Sequence, residues 1–166
     1  MASAPRAAAA SAPREAVAAV VDPEIRVVTI DDLGILRSVQ EDPDTGRVTV
    51  TITPTYTGCP AMDVIRADIR RALAAVGHPE AEVHTVHSPA WSTDWISEVG
   101  RAKLAAAGIA PPAPAAPGAV PLTLAVRCPQ CGSAETEQVS RFGSTACKAL
   151  WRCRSCREPF DNVKAL

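Results

Sequence analysis

The chain has 166 residues and a formal net charge of −1, and alanine supplies much of its apolar content. That length accommodates one modest domain and a small second module. The near-neutral charge does not favour nucleic acid as a partner, and no segment stays apolar over the roughly 18 residues that a membrane span needs. The N-terminus lacks the apolar stretch of a secretion signal, so we expect a cytoplasmic protein whose six cysteines bind metal or act as thiols.

The N-terminal part of the chain is predicted to be an α+β domain over residues 13–109, a small sheet with packed helices. Residues 1–12 are mostly Ala, Ser and Pro, a composition that predicts a disordered tail. A short helix is predicted to begin near Pro13. It is expected to stop at Asp22, because the proline that follows disfavours a helical residue before it.

Alternating side chains predict a β-hairpin from residues 36–41 and 47–53. In the second strand, apolar Val48, Val50 and Ile52 alternate with threonines, which is the period of a half-buried strand. The residues between the two strands combine Asp, Pro and Gly, which is favourable turn chemistry. A third strand is predicted over 82–87, where β-branched residues are frequent.

Two longer helices are predicted in the same domain. Apolar residues recur at spacings of three and four and give the first helix a buried face: Met62, Ile65, Ile69, Leu73 and Val76. A second helix is predicted to begin at the capping residues 92–94 and to run to Gly108. Residues 110–121 are then rich in Pro and Ala, which predicts a stiff linker to the C-terminal module.

The tail, residues 122–166, contains two Cys-x-x-Cys pairs: Cys128, Cys131, Cys153 and Cys156. Two such pairs can aim four thiolates at one ion, and this predicts a β zinc ribbon with a structural Zn²⁺. The expected apolar residues of this module are few: Val139, Phe142, Leu150, Trp151 and Phe160. The metal is therefore expected to supply the folding free energy, on the order of 10 kcal/mol. A pair of redox dithiols or an iron–sulfur cluster are the alternatives for these four thiols.

Cys147 is a further thiol in the tail. Six residues of extended chain separate it from Cys153 and span about 20 Å, too far for both sulfurs to bind the same ion. Its sequence position therefore favours a buried, inert side chain.

Cys59 lies where a threonine-rich strand gives way to a helix opened by Pro60. The partial positive charge of a helix N-terminus stabilises a thiolate, so the position predicts a lowered pKa for Cys59. A lowered pKa suits a nucleophile or a ligand for a soft metal. A packed, unreactive thiol is the competing interpretation.

Several motifs resemble a known family. Asp22-Pro23-Glu24-Ile25, Asp32-Leu33-Gly34-Ile35 and Gly58-Cys59-Pro60 resemble the iron–sulfur cluster assembly domain of SufT-type proteins. The stretch over 88–96 and the tail motifs over 128–133 and 144–150 resemble PaaD, the accessory subunit of the bacterial phenylacetyl-CoA epoxidase (ring 1,2-epoxidase) system. The resemblance covers most of the chain between residues 13 and 164.

This resemblance implies a non-catalytic accessory subunit in aerobic phenylacetate catabolism that delivers or matures an iron–sulfur centre. It assigns Cys59 as a transient ligand of iron or of an iron–sulfur cluster, with Asp22 and Glu24 in support. The family tail includes the position of Cys147, which adds that thiol as a supporting candidate. The implied partners are the oxygenase and reductase components. One thiol cannot hold a four-ligand cluster, so a homodimer, a partner's ligands or a small thiol would complete the shell.

Two other functions compete with this one. A zinc ribbon is common in adaptors that bind nucleic acid or other proteins, and the tail carries several basic residues diluted by acidic ones. An independent enzyme using Cys59 as its nucleophile is the other possibility, although the sequence places no histidine beside Cys59 as a base.

Overall fold

The computed structural model describes residues 12–112 and 126–164. Residues 1–11 of the predicted tail (1–12) and residues 113–121 of the predicted linker (110–121) lie outside these residues. The first domain contains α1 (Ala12–Ala18), β1 (Leu36–Glu41), β2 (Val48–Ile52), α2 (Ala61–Ala75), β3 (Glu82–Thr85), a 3₁₀ turn (Thr93–Trp95) and α3 (Glu98–Ala106). The remaining strands are β4 (Ile109–Ala110), β5 (Thr136–Ser140), β6 (Lys148–Cys153) and β7 (Pro159–Val163).

The first sheet has the order β1-β2-β3. β1 and β2 form the predicted antiparallel hairpin, and β3 pairs parallel to β2 after the chain crosses over through α2. The alternating valines and isoleucine of β2 are buried, as their period predicted. The apolar face of α2 packs on this sheet through Ile65, Ile69 and Leu73, which are fully buried. The predicted α+β class is confirmed.

The predicted last helix of this domain is interrupted. The Ser92 hydroxyl accepts a hydrogen bond from the Asp94 backbone N–H and caps the short 3₁₀ turn. The chain then becomes extended at Ile96, and the Ser97 hydroxyl accepts from the Gly100 N–H to cap α3. Two successive serine caps therefore replace the single helix start that the sequence predicted.

The second sheet has the order β4-β7-β6-β5. β5, β6 and β7 form the antiparallel ribbon, whereas β4 comes from the end of the first domain and pairs parallel to β7. The Asn162 side chain strengthens this junction by donating to the Ala110 carbonyl at 3.0 Å. Ala110, which opens the predicted Pro/Ala linker, is thus a residue of β4.

The ribbon core is smaller than the sequence suggested. Trp151 and Phe160 are buried with Ala149, but Val139 and Phe142 are exposed, Phe142 by 70%. Their predicted core positions are therefore wrong. Val139 lies on β5, an edge strand with one face turned to solvent, and Phe142 lies in the loop after that strand.

Within the described ranges, no helix has the length and apolar character that crossing a membrane requires.

Candidate metal centres

The four ribbon cysteines converge as their spacing predicted. The Sγ atoms of Cys128 and Cys156 lie 3.7 Å apart, and those of Cys131 and Cys153 lie 3.6 Å apart. A tetrahedron with Zn–S bonds of about 2.3 Å places its sulfurs about 3.8 Å apart. All four sulfurs lie within 4.8 Å of one another. This donor set fits a closed, structural metal site.

Tight turns aim each pair of sulfurs at the shared point. In the first turn, Gly132 follows Cys131 with φ of 73°, and its N–H donates to the Cys128 carbonyl at 2.9 Å. The second turn has Arg157 at the matching position, after Cys156, with φ of 67°. Among the described residues, Arg157 is the one non-glycine residue with a positive φ. The second turn therefore retains the left-handed conformation with a side chain that disfavours it.

The second turn also prepares a thiolate. The backbone N–H of Cys156 donates to the Cys153 sulfur at 3.5 Å. This hydrogen bond is the main influence that lowers the pKa of Cys153, to about 6. Metal ligation requires the deprotonated thiol, so this hydrogen bond favours the form of Cys153 that binds.

The strained second turn gives a testable expectation. Replacing Arg157 by Gly should strengthen retention of the ribbon metal by about 1 kcal/mol, because a left-handed residue with a side chain costs about 1–2 kcal/mol. The effect is measured by competition with a chelator, in which the rate of metal loss and the chelator concentration at half loss are recorded. Gly132→Ala is the matched control. An added Cβ at residue 132 meets no atom within 4 Å, so the change acts only through the left-handed backbone, and it should weaken retention of the metal. Unchanged retention in both variants would contradict this account.

A second site surrounds Cys59. The loop after β2 turns at Gly58, with φ of 84°, and delivers Cys59 to the start of α2. Cys59 lines a cavity of about 20 Å³, room for one ion or water molecule. Glu24 and Asp22 line the same cavity, so the structure brings together the thiol and the acidic turn that the family resemblance singled out.

Asp22 stabilises the turn, whereas Glu24 lines the cavity with its carboxylate. Asp22 is buried, and its Oδ1 accepts backbone hydrogen bonds from Glu24 at 2.9 Å and Ile25 at 2.7 Å. Burial is the largest influence on the carboxyl of Asp22 and raises its pKa, against these two N–H donors. Asp22 thus shapes the turn over Pro23, and this turn holds Glu24 at the cavity.

The pKa predicted for Cys59 is wrong in direction. Burial is the largest influence and raises the pKa of the Cys59 thiol, and the carboxylates of Glu24 and Asp22 raise it further. The Ala61 backbone N–H at the helix start lowers it, as the helix argument anticipated, but is outweighed. Negative neighbours disfavour a free thiolate and favour a bound cation, so the surroundings suit a metal ligand better than a nucleophile.

Sequence reasoning missed two neighbours of Cys59. The Tyr56 hydroxyl forms a hydrogen bond with the Cys59 thiol, and burial together with the nearby thiols and Glu24 raises the pKa of Tyr56. Trp91 lines the cavity and is fixed by its indole N–H, which donates to the Leu33 carbonyl at 2.8 Å. Tyr56 is only three residues before Cys59, and this short spacing could have indicated that the two side chains are close. The position of Trp91 depends on tertiary folding and has no such local indication.

Cys147 does not join the ribbon sulfurs. It is 9% exposed and packs in the core of the first domain with Val163. Burial raises the pKa of its thiol to about 11. Its sulfur lies 3.6 Å from Glu24 Oε2, on the wall of the Cys59 cavity.

Comparison with known proteins agrees with this two-part architecture. Residues 12–87 match the iron–sulfur cluster assembly protein family, and residues 113–164 match the PaaD zinc beta ribbon domain. Fe-S protein maturation auxiliary factor YitW of Bacillus subtilis (strain 168) is 37% identical over 86 residues, covering 51% of this chain and 82% of the relative. A crystal structure of a domain of unknown function, DUF59, from Bacillus anthracis is 32% identical with a TM-score of 0.49, covering 54% of this chain and 85% of that one.

A longer match spans both parts. A protein of Escherichia coli (strain K12), provisionally named as one of the subunits of 1,2-phenylacetyl-CoA epoxidase, is 48% identical over 145 residues, or 87% of this chain and 86% of the relative. The resemblance read from the motifs is therefore confirmed. The chain belongs to the PaaD family and joins an iron–sulfur assembly domain to a zinc ribbon.

Proposed function

We propose that this chain is a non-catalytic accessory factor that holds iron at Cys59 and passes it to a component of the phenylacetyl-CoA epoxidase. Membership of the PaaD family supports the epoxidase context. The match to proteins named as Fe-S protein maturation auxiliary factors supports iron or an iron–sulfur unit as the cargo. In this proposal the iron is a substrate in transit, distinct from the resident metal of the ribbon.

The observation that carries the proposal is the cavity shared by Cys59 and Glu24. A thiol and a carboxylate are both iron ligands once they have lost their protons. The cavity lining contains no histidine among the described residues, so Cys59 has no adjacent imidazole base. This absence gives a thiol-dependent enzyme less support than a binding site for a cation.

The ribbon metal has a separate role in the proposal. Four thiolates at tetrahedral spacing form a closed site with no free position for exchange, which suits structural Zn²⁺. We assign Cys128, Cys131, Cys153 and Cys156 as its ligands. The ribbon then remains folded while iron passes through the Cys59 cavity.

The proposed recipient is the reductase component, because electron transfer to the oxygenase component requires a redox centre that must itself be assembled. An incoming iron at Cys59 needs further ligands, from the rest of the cavity, from the recipient or from a second copy of the chain. The oxygenase and reductase components are therefore the proposed partners.

Replacing Cys59 by Ala tests the proposal. The variant should retain its fold, since Cys59 is half-buried at the edge of the core, but the reductase produced beside it should lack part of its iron. Iron and acid-labile sulfide per reductase chain give the measurement. Val64→Ala, an exposed change on the same helix, is the matched control and should leave reductase iron unchanged.

A full complement of iron in reductase made with the Cys59 variant would overturn the proposal. A ribbon adaptor that binds other macromolecules would then be the better account.

A further inference from the structure

Cys147 belongs to the ribbon by sequence but to the first domain by position. It precedes β6, and its backbone carbonyl accepts a hydrogen bond from the Lys164 N–H at 3.0 Å just after β7. Its side chain and that of Val163 belong to the first domain's core and line the Cys59 cavity. The ribbon therefore forms one wall of a cavity whose other walls come from the assembly domain.

The junction between the two modules fixes this wall in place. β4 pairs with β7 at Ile109 and Ala110, and the Asn162 amide bonds the Ala110 carbonyl. Lys148, next to Cys147, is buried and forms an ion pair with Asp161 at 3.4 Å. These contacts attach the segment that carries Cys147 to the same strand that binds the assembly domain.

The cavity thus presents three donor groups that could bind one cation. The Cys147 sulfur lies 3.6 Å from Glu24 Oε2, and Cys59 lines the same 20 Å³ space. Lys164 also lines the cavity, but its Nζ donates to the Ala146 carbonyl at 2.7 Å and lies 4.7 Å from the centre of the Phe142 ring. The ammonium group of this lysine is therefore engaged by the Ala146 carbonyl and the Phe142 ring.

We propose that Cys59, Cys147 and Glu24 form one composite iron(II) site to which both modules contribute. This inference rests on the proposed function, since it supplies the ligands that Cys59 lacks. Two thiolates and a carboxylate suit a borderline-soft divalent ion, and each thiol releases its proton to solvent when the ion binds. A cavity of about 20 Å³ accommodates a single ion rather than a preformed cluster.

The composite site should bind its ion less tightly than the ribbon site does, as transfer of iron to a recipient requires. Among the described residues, the ribbon cysteines are the set whose donor atoms all lie within 4.8 Å, so the three cavity donors are more widely spaced. They must move together around an ion, which weakens binding. Three protein ligands also leave a coordination position open, and a recipient's ligand needs such a position to take the iron.

A purely structural thiol at residue 147 is the competing explanation. Cys147 is already satisfied by the Thr145 hydroxyl, 3.1 Å from its sulfur, and by Glu24. Cys147→Ser retains the size and hydrogen bonding of the side chain but removes the soft donor. Cys147→Val retains the packing and removes every donor. A structural role tolerates at least one of these changes, whereas a ligand role tolerates neither.

The experiment uses the full chain with its ribbon loaded with zinc, titrated without air with Co²⁺ as a spectroscopic substitute for Fe²⁺. The native chain should bind one Co²⁺ with sulfur-to-cobalt charge-transfer absorption while its zinc content stays constant. Cys147→Ser and Cys147→Val should each weaken binding at least tenfold and lose about half of that absorption. Glu24→Gln should weaken binding but retain the full absorption.

The outcomes separate this inference from the proposed function. If both Cys147 variants bind Co²⁺ like the native chain while Cys59→Ser does not, the composite site is wrong and Cys59 remains the iron ligand. If Cys59→Ser also binds normally, both ideas fail. If neither Cys147 variant folds, Glu24→Gln decides: native affinity in that variant overturns the composite site, and weakened affinity with intact charge-transfer absorption supports it.

Discussion

Removing the ribbon metal should unfold the second sheet and expose Cys147 in the same step. The ribbon core consists of a few side chains, chiefly Trp151 and Phe160, which is too little apolar surface to hold three strands without the metal. Metal binding at such sites contributes on the order of 10 kcal/mol of folding free energy. We expect Cys153→Ala, which removes a fully buried ligand, to have the same effect as a chelator.

The connection to Cys147 makes this expectation specific. β6 begins one residue after Cys147, and β7 ends at Val163, which shares the first domain's core. When those strands lose their order, the wall of the Cys59 cavity is lost with them. The near-ultraviolet circular dichroism should change as Trp151 loses its packing. Peptide mapping after reaction with a thiol reagent should report the exposure of Cys147 separately from the four ribbon cysteines.

The control for metal removal is a chain in which Cys59 is Ser. Its ribbon should lose metal at the same chelator concentration, since Cys59 is not among the four ribbon sulfurs. Far-ultraviolet circular dichroism should retain the contribution of α2, whose buried face packs within the first domain. If Cys147 stayed protected from the thiol reagent after complete metal loss, the junction between β4 and β7, and not the metal, would hold this wall of the Cys59 cavity.

The parts of this structure that sequence predicted are those that depend on neighbours along the chain. The hairpin followed from the alternation in Val48–Ile52 and the turn before it, and β1 has the predicted bounds. The four-sulfur group followed from two local Cys-x-x-Cys spacings. Each of these patterns is complete within a few residues, so the chain order alone reveals it.

The parts that sequence did not predict depend on distant pairing. β4 is two residues long at the edge of a Pro/Ala stretch, and only its pairing with β7 makes it a strand. Cys147 and Glu24 are separated by 123 positions along the chain, yet their side chains meet. The predicted direction of the Cys59 pKa shift was wrong for the same reason. The burial and the carboxylates that raise this pKa come from other segments of the chain.

Gly34→Ala should destabilise the first domain by about 2–5 kcal/mol. Gly34 has φ of 69°, and a side chain in that conformation costs about 1–2 kcal/mol. An added Cβ would also lie 2.6 Å from the Trp95 carbonyl oxygen and 2.5 Å from the Trp95 Cβ. Backbone atoms cannot rotate away, so relieving this overlap costs about another 1–3 kcal/mol. Chemical denaturation followed by circular dichroism measures the loss.

Gly46→Ala isolates the conformational part of that loss. Gly46 has φ of 68°, nearly the same as Gly34, but an added Cβ there meets no atom within 4 Å. This variant should lose about 1–2 kcal/mol, so the difference between the two variants measures the close approach of residue 34 to Trp95. Because Leu33 accepts the Trp91 indole N–H, Gly34→Ala should also displace a wall of the Cys59 cavity. Equal stability of the two variants would show that the Trp95 segment shifts freely, and this loop could not then hold the cavity in shape.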